Sequence, residues 1–193
     1  LLLGAFPMVA SAALQPGVTG TARRAAAESI VMLPNENDVL PLGSTETISV
    51  FGRVQLDYFY VGYGSGGDVK RPYNVNLLEG LRDNPKIQVN ETLASVYEAL
   101  VKANPANHGS GWGTWPRFHP EMPLAESVVS DAAAASDTAV VVIGRAAGEE
   151  REAALIKGSY YLTDLETDML DKVTAQFENV VVLFNVGGII DST

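Results

Sequence analysis

Short hydrophobic blocks recur along the chain, and each ends at a glycine or at a polar turn. The run Ala139–Ile143 is continuously apolar and mostly β-branched. This is typical of a strand that is buried on both faces of a parallel sheet. Other blocks predict strands at Thr47–Phe51, Ile87–Val89 and Val180–Phe184, and the Ala139–Ile143 strand begins at Thr138.

Segments with helical character separate these blocks. They predict helices over Thr21–Met32, Asn76–Leu81, Glu91–Ala103, Leu124–Ala135 and Leu162–Phe177. Thr21 has the side chain of an N-cap residue, and Thr163 with Glu166 three positions later has the pattern of a capping box. The alternation of strands and helices predicts an α/β fold, a mostly parallel sheet flanked by helices on both faces.

The loop after the Thr138–Ile143 strand contains the strongest candidate chemistry. Glu149 and Glu150 follow Gly148 there. In open α/β sheets, ligands bind in the loops beyond the carboxyl ends of the strands. The alternative interpretation is a solvated charge cluster in which Arg151 pairs with its neighbours at little net gain in stability.

A second loop is rich in glycine. Gly62, Gly64 and Gly67 match the spacing G-x-G-x-x-G of dinucleotide-binding folds. These glycines lie well beyond the preceding strand, however, and Asp68 to Pro72 follows them in place of a helix. A nucleotide-binding domain is therefore a minor alternative, and a loop that closely approaches some other ligand is favoured.

Composition excludes several classes of function. Thirteen Lys and Arg residues against 23 Asp and Glu residues give a net charge of −10, which argues against binding to nucleic acid. The chain contains no cysteine, so disulfides and thiolate-ligated metals are excluded. His108 and His119 lie in one irregular segment and make a poor metal site, so packing or solvent-exposed roles are preferred for both.

The two ends predict a fragment of a longer protein. Leu1–Leu14 is apolar but too short to span a membrane as it stands, and it is either a leader remnant or a core-packing element. The last strand, Val180–Phe184, is followed by only a few residues, so we expect the sheet to be incomplete. Residues 1–20 are assigned to the leader.

Several segments in order resemble the α/β sandwich domain of glycoside hydrolase family 3. Arg145–Glu149 is similar to the motif R-x-x-G-E, although Glu152 replaces the Asp that usually follows. The other matching segments are Ala25–Leu42 (with Pro34 in place of a common Lys), Ile48–Gly52, Gly64–Gly67, Lys157–Thr163 and Val180–Gly187. The resemblance covers nearly all of residues 22–193, and we assign the domain to 21–193.

The resemblance implies part of a retaining β-glycosidase that acts on β-glucosides or related β-linked sugars without a metal or organic cofactor. Glu149 occupies the acid/base position, and Glu150 is the fallback. Arg145 is expected to orient the loop, and Tyr63, Gly64, Ser65 and Gly66 are expected near the same cleft. In the family the nucleophile is an Asp on a separate (β/α)8 barrel, and no segment of this sequence resembles that barrel.

We therefore expect the isolated chain to be inactive and its partner to be a barrel of the same polypeptide. An apolar leader so close to the domain fits an order with the barrel second. Trp112 and Trp115 are expected to pack in the protein or to stack on an aglycone. The main alternative is a non-catalytic carbohydrate-binding or interaction module. Sugar, linkage, compartment (cytoplasmic, membrane-anchored or exported) and a homo-oligomeric state stay open.

Overall fold

The computed structural model describes residues 17–64, 73–110, 112–149 and 153–191 and divides into two compact units, Leu1–Asp38 and Val39–Thr193. The first unit contains helix α1, Val18–Glu28, and a 3-10 turn, Glu36–Asp38. The second unit contains the sheet. In the described part of the chain, no helix has the length and the hydropathy that crossing a membrane requires.

Helix α1 differs from the predicted Thr21–Met32. It begins after Gly17, whose φ of 85° marks the N-cap, so the prediction that Thr21 caps the helix is wrong. The helix ends at Glu28 with Ser29 as its C-cap, just before the β-branched Ile30 and Val31, whose helix propensity is lower than that of alanine. The leader assigned to residues 1–20 lies outside the described residues up to position 16.

A four-stranded parallel sheet forms the second unit, in the order β2-β1-β3-β4. The strands are β1 Glu46–Phe51, β2 Ile87–Val89, β3 Thr138–Arg145 and β4 Asn179–Val186. Each predicted strand is confirmed, and β3 continues two residues beyond the predicted end, to Arg145. Its residues are all buried, as the apolar run indicates.

Helices cover both faces of this sheet, which confirms the predicted α/β class. They are α2 Leu77–Arg82, α3 Glu91–Ala103, α4 Glu126–Ala135 and α5 Asp164–Thr174. Helices α3, α4 and α5 pack on one face, where Tyr97, Val129 and Met169 join the core around Val141. Helix α2 packs on the other face through Leu77 and Leu81.

The capping box predicted for α5 is confirmed. The hydroxyl oxygen of Thr163 accepts a hydrogen bond of 3.2 Å from the backbone N–H of Glu166, and the Glu166 carboxylate accepts one of 2.8 Å from the backbone N–H of Thr163. These bonds satisfy two amides that the first turn of a helix leaves without partners.

The order of connections defines where a ligand would bind. Strand β1 leads through α2 to β2 on one side, whereas β3 leads through α5 to β4 on the other side. The chain therefore diverges between the neighbouring strands β1 and β3. Parallel sheets bind ligands in the crevice at the carboxyl ends of such a pair.

Candidate active site

The glycine loop and the Glu149 loop meet at this crevice. The backbone N–H of Tyr63 donates to the carbonyl of Ala147 at 2.7 Å, and the N–H of Glu149 donates to the carbonyl of Tyr63 at 3.0 Å. Tyr63 and Gly148 thus form an isolated parallel bridge. The structure thus brings together three of the predicted site residues, Tyr63, Gly64 and Glu149.

Gly64 lies against the side chain of Glu149. A Cβ atom at Gly64 would be 2.6 Å from the Cβ and 2.8 Å from the Oε2 of Glu149, and the φ of Gly64 is 113°. Only glycine permits both this approach and this backbone conformation. Glu149 itself is exposed. Ser65, Gly66 and Glu150, also selected from the sequence, lie outside the described residues.

A third loop packs beneath these two. The carbonyl of Arg117 accepts a hydrogen bond of 2.7 Å from the N–H of Ala146. The Trp115 ring stacks on Tyr63 with 5.1 Å between centroids. A Cβ atom at Gly148 would be 2.8 Å from Trp115 Nε1, so this glycine permits the ring to lie against the loop.

The two tryptophans have different environments. Trp115 is buried, whereas 64% of Trp112 is exposed, and the two rings meet edge to face at 5.9 Å. Trp115 therefore packs within the protein, as one of the two expected roles has it, whereas Trp112 lies mostly at the surface.

Arg145 is buried at the end of β3 and is paired with Glu166. Its two terminal nitrogens donate to the two carboxylate oxygens of Glu166 at 2.7 and 2.8 Å. Its Nε donates to the carbonyl of Ser159 at 3.0 Å, and Nη2 donates to the carbonyl of Tyr161 at 3.3 Å. The guanidinium thus joins β3, the loop around residue 160 and the start of α5. These contacts agree with a loop-positioning role, which stays a prediction.

Sequence reasoning missed a buried polar cluster at the start of the glycine loop. Arg53 Nε donates to Asp57 at 2.6 Å, and the backbone N–H of Arg53 donates to Glu121 at 2.6 Å. Burial raises the pKa of Glu121. The spacing of four residues between Arg53 and Asp57 is a sequence signal for their ion pair. Nothing in the sequence indicates that Glu121, 68 residues from Arg53, joins them.

An aromatic cavity of about 440 Å³ lies beside the loops. His119 lines it and stacks on Phe59 with 4.7 Å between ring centroids. Burial lowers the pKa of His119 to about 4, so the ring is neutral at pH 7. The other histidine, His108, meets His119 edge to face at 6.0 Å. Among the described residues, no group of three or more His, Cys, Asp or Glu side chains is placed to hold a metal ion.

Comparison with known proteins adds a family and several relatives. The Glycosyl hydrolase family 3 C-terminal domain matches residues 30–193. A β-glucosidase of Ruminococcus albus is 45% identical over 165 residues, which cover 86% of this chain and 17% of that protein. Beta-glucosidase A of Butyrivibrio fibrisolvens is 33% identical over 192 residues, with 88% and 22% covered.

The solved structures that resemble this chain are also β-glucosidases. The β-glucosidase of Paenibacillus barengoltzii superimposes with a TM-score of 0.90 at 48% identity, over 92% of this chain and 19% of that one. β-Glucosidase 3B of Thermotoga neapolitana, in complex with glucose, has a TM-score of 0.78 at 32% identity, over 92% and 26%. The chain thus spans roughly a fifth to a quarter of the length of these relatives.

Proposed function

This chain belongs to glycosyl hydrolase family 3, and on that premise we propose that it supplies the acid/base carboxylate of a retaining β-glucosidase. The observation that carries the proposal is the placement of Glu149. Glu149 is exposed beyond the carboxyl end of β3, where Tyr63 binds its backbone N–H and Gly64 lies against its side chain. The relatives are named β-glucosidases, and β-linked glucosides are the proposed substrates.

The proposed reaction requires a second carboxylate. Retaining glycosidases place an acid/base and a nucleophile about 5–5.5 Å apart. We assign the nucleophile to an Asp on a (β/α)8 barrel in the remainder of the polypeptide, because this chain spans only a fraction of its relatives. Residues 21–193 form the proposed sandwich domain, with residues 1–20 as its leader.

Exposed apolar side chains near the site support such a barrel. Leu155 and Ile156 follow β3 and are 72% and 55% exposed, and Ile189 follows β4 and is 73% exposed. Ile189 lines a cavity together with Gly148 and Ala153 of the Glu149 loop, and such exposed apolar surface is available to another part of the protein. In this proposal the barrel also covers Glu149, and burial raises the pKa of a carboxyl group toward the value a general acid needs.

The chemical steps follow from these positions. Glu149 donates its proton to the glycosidic oxygen while the nucleophile attacks the anomeric carbon, and the aglycone leaves as an alcohol. The ionised Glu149 then takes a proton from water, which attacks the anomeric carbon and releases the nucleophile. Such acid/base assistance accelerates a reaction by about 10²–10⁴-fold. Arg145 acts in this proposal by fixing the end of β3 and the loop after it.

Glu149→Ala in the complete polypeptide tests the assignment. We expect turnover of phenyl β-glucoside to fall by about 10²–10⁴-fold. Dinitrophenyl β-glucoside should react far better, because its leaving group needs no proton. Azide should restore turnover of the dinitrophenyl substrate and give β-glucosyl azide, because this anion attacks the glycosyl-enzyme directly and has no proton for a base to remove.

The matched control is Glu178→Ala, which removes an exposed carboxylate just before β4, at the opposite end of the sheet. This variant should leave the turnover of both substrates unchanged. If Glu149→Ala also leaves both unaffected, Glu149 is not the acid/base, and Glu150→Ala is the next variant. If neither carboxylate matters and the isolated 193 residues bind glucose, the alternative of a carbohydrate-binding module is supported instead. The isolated 193 residues should show no turnover.

A further inference from the structure

Asn185, at the carboxyl end of β4, clamps the backbone of Phe59. Its Oδ1 accepts a hydrogen bond of 2.8 Å from the N–H of Phe59, and its Nδ2 donates one of 3.2 Å to the carbonyl of Phe59. The two residues are 126 positions apart in the chain. Asparagine offers a donor and an acceptor side by side, so it pairs with a peptide unit as a neighbouring strand would.

The Phe59 ring is fixed as well. It stacks on His119, and a Cβ atom at Gly144 would be 3.0 Å from Phe59 Cδ2. Both the backbone and the side chain of Phe59 are therefore held against the ends of β3 and β4. Four residues later the chain reaches Tyr63, whose backbone bonds hold the Glu149 loop.

The end of β4 also contacts the Glu149 loop directly. A Cβ atom at Gly187 would be 2.4 Å from the Cβ of Ala147, so the absence of a side chain permits a close contact there. Val181 and Leu183 pack on the same face of the sheet as Phe59. Side chains of a strand alternate between its faces, so positions 185 and 187 follow on that same face. One end of one strand thus touches both loops that meet at Glu149.

We propose that Asn185 is a positioning residue, which fixes the carboxylate of Glu149 through the segment from Phe59 to Gly64. The inference rests on the proposed function, because it assigns Asn185 an effect on an acid/base. Without the clamp, the segment that carries Gly64 shifts relative to β3. A misplacement of about 1 Å costs on the order of 10²-fold in rate when a catalytic group must lie in line with the bond it protonates.

The kinetic test compares three variants of the complete polypeptide. Asn185→Ala removes both bonds, and Asn185→Asp keeps an acceptor but cannot donate to the carbonyl of Phe59. Asn179→Ala, at the other end of the same strand, is the control. We expect both Asn185 variants to lower turnover of phenyl β-glucoside by about 10-fold to 10²-fold, with much smaller effects on dinitrophenyl β-glucoside, and the control to change neither.

An equal loss on both substrates overturns the inference, because a merely structural defect does not depend on the leaving group. Full activity in Asn185→Asp overturns it too, since the donated bond is then dispensable. Glu149→Ala is measured in parallel. If that variant shows no dependence on the leaving group, the proposed function has failed, and the following measurement alone decides whether Asn185 positions the loops.

Hydrogen exchange measures the positioning without reference to catalysis. In Asn185→Ala and Asn185→Asp, the amides of Tyr63 and Glu149 should exchange faster, because their bonds join the two loops. The amide of Val141, in the centre of β3, is the internal reference for global stability. If Tyr63 and Glu149 exchange as slowly as in the unmodified protein, or accelerate only as much as Val141 does, the inference is overturned.

Discussion

Gly64 and Glu149 approach each other more closely than any residue with a side chain allows at position 64. A Cβ atom there would lie 2.6 Å from the Cβ and 2.8 Å from the Oε2 of Glu149. We expect Gly64→Ala to displace the carboxylate and to lower turnover of phenyl β-glucoside by on the order of 10²-fold. Steady-state kinetics of the complete polypeptide measure this loss.

Gly80→Ala is the matched control for that substitution. Gly80 lies within α2, and a Cβ atom there would meet nothing within 4 Å. Alanine should leave turnover unchanged and stabilise the helix by about 0.5–1 kcal/mol. Unchanged turnover in Gly64→Ala would mean that the carboxylate at this contact has no part in the reaction.

The ion pair of Arg145 and Glu166 predicts a large effect on stability. Both side chains are only 6% exposed. Glu166→Gln removes one charge but keeps the carbonyl oxygen and the length that the capping box with Thr163 requires. Because the guanidinium is then buried without a counter-ion, we expect the free energy of unfolding to fall by about 3 kcal/mol, as measured by urea denaturation.

Asp164→Asn supplies the comparison, since it neutralises a carboxylate in the same helical turn. Asp164 pairs with Lys157, and these side chains are 85% and 64% exposed. Water screens such a pair, so the loss should stay below about 1 kcal/mol. Similar losses in the two variants would show that burial of the Arg145 pair has no energetic consequence.

Local patterns were sufficient to predict most of the fold. The apolar run before Gly144 and the capping box at Thr163 are contiguous signals, and the structure confirms the strand and the helix start that they predict. The end of helix α1 was predicted too late, at Met32. The alanine-rich segment is followed by apolar residues such as Ile30 and Val31, and small differences in helix propensity do not locate the boundary between them.

The site was harder to predict, because its contacts join segments that are distant in sequence. The sequence selected Tyr63, Gly64, Arg145 and Glu149 through motifs. It gave no indication that Asn185 binds the backbone of Phe59, since the two residues are 126 positions apart and share no motif. Nor did it reveal that Glu166, a capping residue, is also the counter-ion of Arg145.

His119 predicts a specific dependence of stability on pH. Burial lowers its pKa to about 4; the charge of Asp57 opposes this shift, and the charges of Arg53 and His108 each add to it by less. In the unfolded chain the pKa is about 6.5. Between these values the unfolded state binds more protons than the folded state, so the contribution of His119 to stability is greatest above pH 6.5 and falls as the pH decreases toward 4. The loss amounts to roughly 3 kcal/mol.

His119→Phe should remove this part of the slope, because phenylalanine keeps a ring against Phe59 and carries no proton. The variant and the unmodified chain should differ little in their dependence on pH above 6.5, and the variant should gain stability relative to the unmodified chain as the pH falls. Glu121, whose pKa burial raises, contributes a slope of opposite sign above its unfolded pKa. It is present in both proteins, so the difference isolates His119. Urea denaturation between pH 4 and pH 8 measures this difference in stability.

His108→Gln, which replaces an exposed histidine of the same segment, is the control and should retain most of the slope. Parallel curves for His119→Phe and the unmodified chain would show that His119 titrates normally in the folded protein.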